Sequence, residues 1–377
     1  MRSNFEFLKK FILCPDLTEA EFKKILPEVS SHFTSDRDKI KKYVFSREMI
    51  SSYALFFIPT NYPKFFFLMN QVEKSIQEDI KKCDFIDVGT GPGTYLLSFL
   101  DFLGGKASLD QQFVGIDSSH LMLDQAKKVI EGVYPKLGHN LSLKIENDPM
   151  KLRSSKKILF FGHSLNEMGI DQAVHWVKKV DPEYLCFIEP GTPQTFDLIL
   201  KMRKNMCDRG YDSLYPCPSL KLSCPMEGES GKEGGDWCHQ VLRMTHDPSV
   251  ERMCQLVSKN RRVMPLIGHL YKKGKKEKIS KSLWREGILV RLLKETKFSF
   301  QWMICLLEEK GSPVNKHTLV KIDVLKKFIS KRDKKILKKI SIGERFNFEI
   351  VKEVSQNFWQ VELKELEDLI VKIPSKK

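Results

Sequence analysis

The stretch of sequence that decides the fold is residues 85–94, FIDVGTGPGT, in which a short apolar run ends in three glycines separated by single residues. Glycines allow the backbone to pass close to a ligand, and the amino terminus of a following helix offers unpaired N–H groups to that ligand. A nicotinamide dinucleotide fingerprint requires a further glycine where Thr94 stands. The stretch therefore predicts a strand, a ligand-binding turn and a helix. The predicted cofactor contacts are Asp87, Gly89, Thr90, Gly91 and Gly93.

Short apolar runs continue beyond this turn and are separated by helical patterns. The predicted strands are residues 85–88, 112–117, 141–145, 157–161 and 184–189. Strands that alternate with helices at this spacing form a mainly parallel sheet covered by helices on both faces. Residues 1–80 show helical spacing of apolar residues, and the aromatic stretch 53–69 is predicted to pack as a helix pair onto the sheet domain.

The glycine pattern Asp-x-Gly-x-Gly-x-Gly resembles motif I of class I S-adenosylmethionine-dependent methyltransferases. Asp117 ends the next strand, where a carboxylate can accept hydrogen bonds from both ribose hydroxyls of that cofactor. Asp148 follows the third strand, where folds of this kind contact adenine. The alternative interpretation is a tight strand–helix turn flanked by exposed acids.

The fourth strand is followed by residues 162–168, GHSLNEM. In methyltransferases the cofactor's methyl group points toward this strand end, so His163, Asn166 and Glu167 are the candidates for contact with the methyl acceptor. His163 or Glu167 can act as a general base, and either can equally cap the next helix. The Asn/Asp-Pro-Pro-Tyr/Phe motif of amine methylases is missing here.

Three cysteines, Cys217, Cys224 and Cys238, fall in a Pro- and Gly-rich stretch that has little helical or strand periodicity. Thiolate ligation of a metal would order such a stretch, because metal binding and folding are coupled. Zinc sites usually have more closely paired cysteines, whereas iron–sulfur clusters tolerate wider spacing, and both remain open. The candidates for a fourth ligand are Cys254, Cys305 and His239. Buried structural thiols are expected at Cys14, Cys83, Cys186 and Cys207.

The positive charge of the chain is concentrated in one segment. The 377 residues carry a net charge of +15, and residues 251–350 alone hold 26 Lys and Arg against 10 Asp and Glu. A basic segment of this density attracts phosphate backbones. The alternative is a set of solvated helix faces. No apolar run reaches the length of a membrane-spanning helix, so no membrane association is expected.

Several motifs together resemble one family of small-ribosomal-subunit assembly factors. It includes the mitochondrial proteins of the "methyltransferase-like seventeen" type, the yeast Rsm class and their bacterial relatives. The motifs that carry the resemblance are residues 87–94, 115–118, 164–168, 188–193, 216–218, 224–225 and 237–239. The resemblance extends from about Tyr53 to Phe346.

This resemblance implies a class I methyltransferase fold that binds S-adenosylmethionine, acts on the small ribosomal subunit and its rRNA, and carries a 4Fe–4S cluster. Carried over by position, the cluster ligands are Cys217, Cys224, Cys238 and, by the loosest match, Cys305. Methylation of the rRNA is left open by the resemblance. The loop between Cys224 and Cys238 is longer than usual in the family, and residues 266–285 look inserted. The rival hypothesis is a zinc-stabilised methyltransferase that acts on a small molecule or a protein without binding RNA.

We therefore expect four regions. They are a helical region (1–80), a Rossmann-like methyltransferase core (81–212), a Cys-rich basic RNA-binding lobe (213–346) and a carboxyl-terminal extension (347–377). Glu6 and the acidic residues that follow argue against a targeting presequence, so a bacterial cytoplasm is favoured over a mitochondrial matrix. No sequence feature indicates a homo-oligomer.

Overall fold

The computed structural model describes nine segments of the chain, namely residues 5–34, 46–108, 110–145, 156–217, 219–221, 223–228, 236–274, 284–306 and 318–372. The chain forms two compact units. The first comprises Met1–Met69, Glu73–Ile188 and Thr245–Arg262, and the second comprises Asn70–Val72, Glu189–Met244 and Val263–Lys377.

The first unit is built on a parallel sheet. Its strands are β1 (Asp84–Val88), β2 (Phe113–Asp117), β3 (Leu141–Ile145), β4 (Lys157–Gly162) and β5 (Tyr184–Pro190). They lie in the order β3-β2-β1-β4-β5, and every neighbouring pair is parallel. The central strand β1 is buried along its whole length, as its apolar sequence predicts for a strand covered on both faces. The strand order reverses between β1 and β4, and ligands of such sheets bind at the carboxyl ends of the strands at this point.

Helices make up most of the rest of the first unit. They are α1 (Phe5–Lys9), α2 (Glu19–Thr34), α3 (Arg47–Met69), α4 (Lys74–Ile80), α5 (Thr94–Phe102), α6 (His120–Val133), α7 (Leu165–Val180) and α9 (Pro248–Leu256). The prediction of a helix pair over residues 53–69 is wrong, because α3 continues through Pro59 and Pro63 as one helix. Burial on nearly all sides, against α2, α5 and α6, offsets the backbone hydrogen bonds that the two prolines remove.

The second unit begins with α8 (Pro193–Asp208), whose Thr192 cap accepts a hydrogen bond from the Thr195 N–H. Three strands follow, of which β8 (Val263–Lys273) pairs in antiparallel orientation with both β6 (Tyr211–Tyr215) and β7 (Gln240–Arg243). Residues 266–273, which from the sequence look like part of an insertion, therefore form most of β8.

A closed five-stranded barrel forms the remainder of the second unit. Its strands are β9 (Arg285–Glu295), β10 (Ser299–Leu306), β11 (Leu319–Leu325), β12 (Arg345–Ser355) and β13 (Phe358–Lys364). Around the barrel the strands lie in the order β9-β10-β11-β13-β12, and β12 closes the ring by pairing with β9. The pair β11–β13 is parallel, and the other four pairs are antiparallel. This connectivity, with α10 (Lys331–Leu337) between the third and fourth strands, is that of an OB-fold.

The barrel was not predicted from the sequence. Its inward-facing residues alternate along each strand, as in Phe300, Trp302 and Ile304 of β10, and they form one buried cluster. The carboxyl-terminal extension expected from residue 347 onward holds most of β12, then β13 and α11 (Leu366–Lys372). Among the described helices, none is long and apolar enough to cross a membrane.

Candidate functional site

The glycine turn after β1 adopts a backbone that only glycine accepts without strain. Gly89, Gly91 and Gly93 have φ angles of 75°, 51° and 83°. A Cβ atom on Gly89 would lie 2.4 Å from the Cβ of Ser164, at the end of the neighbouring strand β4. The Ser164 hydroxyl donates a 2.7 Å hydrogen bond to the Val88 carbonyl, which fixes this close approach. The turn leads into the amino terminus of α5, as the sequence predicts.

Asp87 is fully buried beneath this turn. Its Oδ2 accepts a 2.8 Å hydrogen bond from the Thr90 hydroxyl, while its Oδ1 has no hydrogen-bond partner in the described part of the chain. Burial raises the pKa of the carboxyl to about 7, the Thr90 hydrogen bond lowers it, and the nearby Asp117 raises it further. A buried acceptor without a donor is costly, so Asp87 fits a site whose ligand brings a donor.

Asp117 lies at the end of β2, next to the same turn. Its Oδ2 accepts a 2.9 Å hydrogen bond from the Gly91 N–H, and its Oδ1 accepts one of 2.9 Å from the Ser119 N–H. A carboxylate oxygen can accept more than one hydrogen bond, which suits a position where ligand hydroxyls are expected. Asp148, the predicted adenine contact, lies outside the described residues.

Two of the three catalytic candidates occupy the first turn of α7. Glu167 is exposed and Asn166 is half-buried. The third, His163, directly follows β4 with a φ angle of 62°, and its N–H donates to the Ile188 carbonyl over 2.8 Å. The structure thus places all three at the carboxyl end of β4, adjoining the glycine turn.

A buried lysine that the sequence did not single out reaches His163. The Nζ of Lys64, on α3, lies 3.1 Å from the Nε2 of His163, and Lys64 is only 3% exposed. If Lys64 is an ammonium it donates to Nε2 and Nδ1 carries the ring proton, whereas a neutral Lys64 amine accepts from an Nε2–H.

Tyr53, also on α3, is a second residue that sequence reasoning missed. Burial raises the pKa of its phenol, and the negative charges of Glu167 and Asp117 raise it further. The phenol therefore lies within electrostatic range of the carboxylates at the ends of β2 and β4. From the sequence, residues 53–69 were interpreted as a structural segment, because Tyr53 and Lys64 belong to no recognisable functional motif.

The four predicted cluster ligands form one electrostatic group in the second unit. Burial is the largest cause of a raised pKa at each thiol, and the value at Cys224 is about 11. The thiols also affect one another: Cys217, Cys224 and Cys305 each raise the pKa of Cys238. Cys217 and Cys224 do the same for Cys305. Residues up to 88 positions apart in sequence are thereby brought within range of one another.

The barrel places Cys305 in this group. Phe300, Trp302 and Ile304 point into the barrel, so the alternation of β10 puts Cys305 on its outer face. The neighbouring strand β9 holds the cysteine segment there: the Arg291 guanidinium donates a 2.6 Å hydrogen bond to the Trp237 carbonyl and pairs with Asp236.

The other two candidates for a fourth ligand have different surroundings. Cys254 lies in the first unit, where burial is the main cause of a raised thiol pKa, Glu251 raises it further and Arg261 lowers it. The Nδ1 of His239 lies 3.0 Å from the Trp237 carbonyl oxygen, and burial lowers the pKa of its imidazole. Of the four expected structural thiols, Cys83 and Cys186 are buried, whereas Cys14 and Cys207 are half-buried.

A buried arginine accompanies the thiols. Arg203 on α8 is 5% exposed, donates to the Ser219 carbonyl over 3.2 Å and lowers the pKa of the Cys217 thiol through charge and a hydrogen bond. Among the described residues, no three His, Cys, Asp or Glu side chains converge tightly enough to hold a metal ion. Four thiols that affect one another's pKa are the donor set that a cluster with four thiolate ligands requires, and a buried cation beside them suits the negative charge of such a cluster.

The strand order of the first unit, the glycine turn and the acids at the ends of β1 and β2 define a protein with a class I methyltransferase fold. The family described as "Mitochondrial small ribosomal subunit Rsm22" matches residues 47–321. The chain therefore belongs to the Rsm22 family, which confirms the resemblance drawn from its motifs. A search of the curated proteins found no match.

Solved methyltransferase structures resemble parts of the chain. A SAM-dependent methyltransferase from Aquifex aeolicus is 19% identical over 33% of this chain and 67% of its own, with a TM-score of 0.25. The methyltransferase domain of bacterial CtHen1-C is 13% identical over 58% of this chain and 100% of its own, with a TM-score of 0.34. The plantazolicin methyltransferase BpumL, solved with SAH, is 14% identical over 68% of this chain and 97% of its own, with a TM-score of 0.34. The strand order and turn of this chain, and not these low similarities, define its fold.

Proposed function

We propose that this protein is an assembly factor of the small ribosomal subunit that binds S-adenosylmethionine in its first unit and small-subunit rRNA through its basic second unit. The family match over residues 47–321 supports the ribosomal partner. The family's description also favours the mitochondrial matrix, and the bacterial cytoplasm expected from the sequence has no support.

Asp87 is the observation that carries cofactor binding. Its buried Oδ1 needs a donor that the described residues do not supply, and it lies beneath a glycine turn with Asp117 alongside. These acids favour a ligand that carries positive charge, as the sulfonium and ammonium groups of S-adenosylmethionine do. When bound, that cofactor supplies an electrophilic methyl group.

The residues around the methyl position favour orientation of an acceptor over proton removal. The Nε2 of His163 lies 3.1 Å from the Nζ of Lys64, and this contact fixes the orientation of the imidazole beside the proposed methyl position. Glu167 on the exposed side remains the candidate base. Labelled S-adenosylmethionine, incubated with the purified protein and immature small subunits, tests for catalysis. Label in the rRNA would show that the protein is an rRNA methyltransferase. If the rRNA carries no label although the protein binds the subunit, the methyltransferase fold serves for binding only.

We further propose that Cys217, Cys224, Cys238 and Cys305 hold a 4Fe–4S cluster that orders the segment around them. Raised thiol pKa values mean that metal binding must displace protons, so cluster retention should weaken as pH falls. Quantification of iron, sulfide and zinc after anaerobic purification tests this directly. Stoichiometric zinc without sulfide would support the rival zinc-stabilised methyltransferase instead.

Salt dependence tests the RNA partner. If the basic segment neutralises about six phosphates, the logarithm of the affinity for rRNA should fall with the logarithm of the salt concentration at a slope of about −5. Fluorescence anisotropy with a labelled small-subunit rRNA fragment measures this slope between about 50 and 200 mM salt. A flat response would contradict the RNA-binding proposal and leave the cofactor proposal standing.

A further inference from the structure

One end of the barrel carries two exposed aromatic rings on turns that are hydrogen-bonded to each other. The first turn joins β9 to β10 and holds Phe298, and the second is the 3-10 turn Lys326–Phe328. The Lys326 N–H donates to the Phe298 carbonyl over 2.9 Å, and its Nζ donates to the Glu295 carboxylate over 2.6 Å. The two turns therefore form one continuous surface.

Both rings stand outside the barrel core. Phe298 is 72% exposed and Phe328 is 43% exposed, whereas Phe300, two residues after Phe298, is buried at 4%. A single exposed phenylalanine on a protein surface is ordinary, but two on joined turns indicate a contact surface.

Each exposed ring has a lysine beside it. The Nζ of Lys297 lies 5.5 Å from the centroid of the Phe298 ring, and that of Lys327 lies 4.7 Å from the centroid of the Phe328 ring. We call these four residues, together with Lys326, the aromatic edge. Its pairing of flat apolar faces with cations matches a strand of unpaired nucleotides, in which bases alternate with phosphates.

The charge around the aromatic edge is strongly positive. Residues 326–339 contain eight Lys and Arg and one acid, Asp333, whose N–H and carboxylate bond to the Ser330 cap of α10. Leu337 is buried against the barrel core, while Lys338 reaches Glu295 at 3.1 Å, so α10 brings its cations to the side of the first turn. Phosphates near the rings would thus meet a positive field.

We propose that the aromatic edge binds unpaired RNA, with bases stacked on Phe298 and Phe328 and phosphates held by the neighbouring lysines. This rests on the proposed RNA-binding function and adds to it the kind of RNA that is bound. The position supports it, because Phe298 lies in the turn between the first and second strands of an OB-fold, one of the loops by which such barrels bind oligonucleotides. A duplex keeps its base faces stacked on one another, so the edge should prefer single strands.

Fluorescence anisotropy on the full chain tests the proposal with a labelled 12-nucleotide oligouridine and with a 12-base-pair RNA duplex. Stacking on an aromatic ring is worth about 1–3 kcal/mol per base, so Phe298→Ala and Phe328→Ala should each weaken oligouridine binding about fivefold or more. Phe298→Trp should retain binding, and Phe298→Leu, which keeps apolar volume without a ring, should lose it. Val354→Ala, at a position 47% exposed on β12, is the matched control and should bind normally.

The salt slope distinguishes stacking from phosphate binding. Phe298→Ala should lower the affinity without changing the slope, whereas Lys297→Gln or Lys327→Gln should reduce its magnitude by about 0.7 for each phosphate that is no longer neutralised. The inference is overturned if wild type prefers the duplex, or if both phenylalanine variants bind oligouridine and immature small subunits as wild type does. That second result leaves the proposed function intact, while wild-type protein that binds no RNA or subunit would overturn both.

Discussion

The two units build their candidate sites in opposite ways. In the first, Asp87, the glycines and Asp117 lie within 31 consecutive residues, and one strand–turn–helix unit with its neighbouring strand brings them together. In the second, Cys217 and Cys305 are 88 positions apart, and Cys217 raises the pKa of Cys305, which the alternation of a barrel strand places on the outer face of the barrel. A site built from residues close in sequence should keep its ligand binding when a distant part of the chain is mutated. A site built from residues far apart in sequence should be lost when the fold that brings them together is destabilised.

The largest effect is expected from Cys217→Ser. Loss of one thiolate should abolish the cluster and, with it, a metal-binding contribution to folding that is on the order of 10 kcal/mol for structural metal sites. Iron and sulfide should drop to background, and limited proteolysis should cut between residues 217 and 238. S-adenosylmethionine binding to the first unit, measured by calorimetry, should persist.

Cys207→Ser is the matched control, since Cys207 is a half-buried thiol on α8 in the same unit. It should keep its iron and its protease resistance. Normal iron content and stability in Cys217→Ser would instead show that Cys217 is a structural thiol. That result would contradict the proposal that cysteines far apart in sequence form a site in the second unit.

A smaller effect is expected from Gly89→Ala in the first unit. The new Cβ would lie 2.4 Å from the Ser164 Cβ at a φ angle of 75°, so overpacking and left-handed strain add to about 2–5 kcal/mol of lost stability. Gly138→Ala is the control: its φ angle is 51° with open space around the added atom, which leaves only about 1–2 kcal/mol of strain. Urea denaturation measures both, and equal losses in the two variants would refute the close-packing argument.

The smallest of the three effects concerns pH. The folded pKa of Asp87 is about 7, above the value of 3.8 for the unfolded chain, so the folded state retains a proton that the unfolded state releases. Stability of the ligand-free protein should therefore decrease as pH rises from about 4 to about 7 and level off above that. Asp87→Asn, which keeps an oxygen to accept from Thr90, should remove this component and be about 2–4 kcal/mol more stable than wild type at pH 8.

Thermal and urea unfolding between pH 5 and 8 measure the difference between Asp87→Asn and wild type. The variant should also bind S-adenosylmethionine more weakly, because an amide replaces the charged acceptor. A difference that does not vary with pH would mean that Asp87 is ionised throughout, and that its Oδ1 has found a donor.

The sequence predicted most of the first unit because its signals are local. Each strand of the parallel sheet is a short apolar run, and the glycines of residues 89–93 require a turn whatever surrounds them. Tyr53 and Lys64 escaped notice because an aromatic run predicts burial, and only packing of α3 brings these two side chains near Glu167 and His163.

The second unit was predicted far less completely. Its basic charge and three of its cysteines are evident in the sequence, but the barrel is not, although the alternation of Phe346 and Phe348 in β12 and of Trp359, Val361 and Leu363 in β13 was a signal available to find it. Alternation of apolar and polar residues predicts a strand, but it does not predict which other strand it pairs with. The parallel pairing of β11 with β13 that defines the OB-fold depends on contacts across dozens of residues.

The sequence by itself determined the parallel sheet, the ligand-binding turn and the position of the positive charge, since each follows from the preferences of neighbouring residues. Only the tertiary structure decided that Cys305 comes within electrostatic range of the other three thiols, that Lys64 contacts His163, and that Phe298 and Phe328 lie on joined turns. The physical reason is that these relations are set by long-range burial of apolar surface, to which every part of the chain contributes and which no single segment encodes.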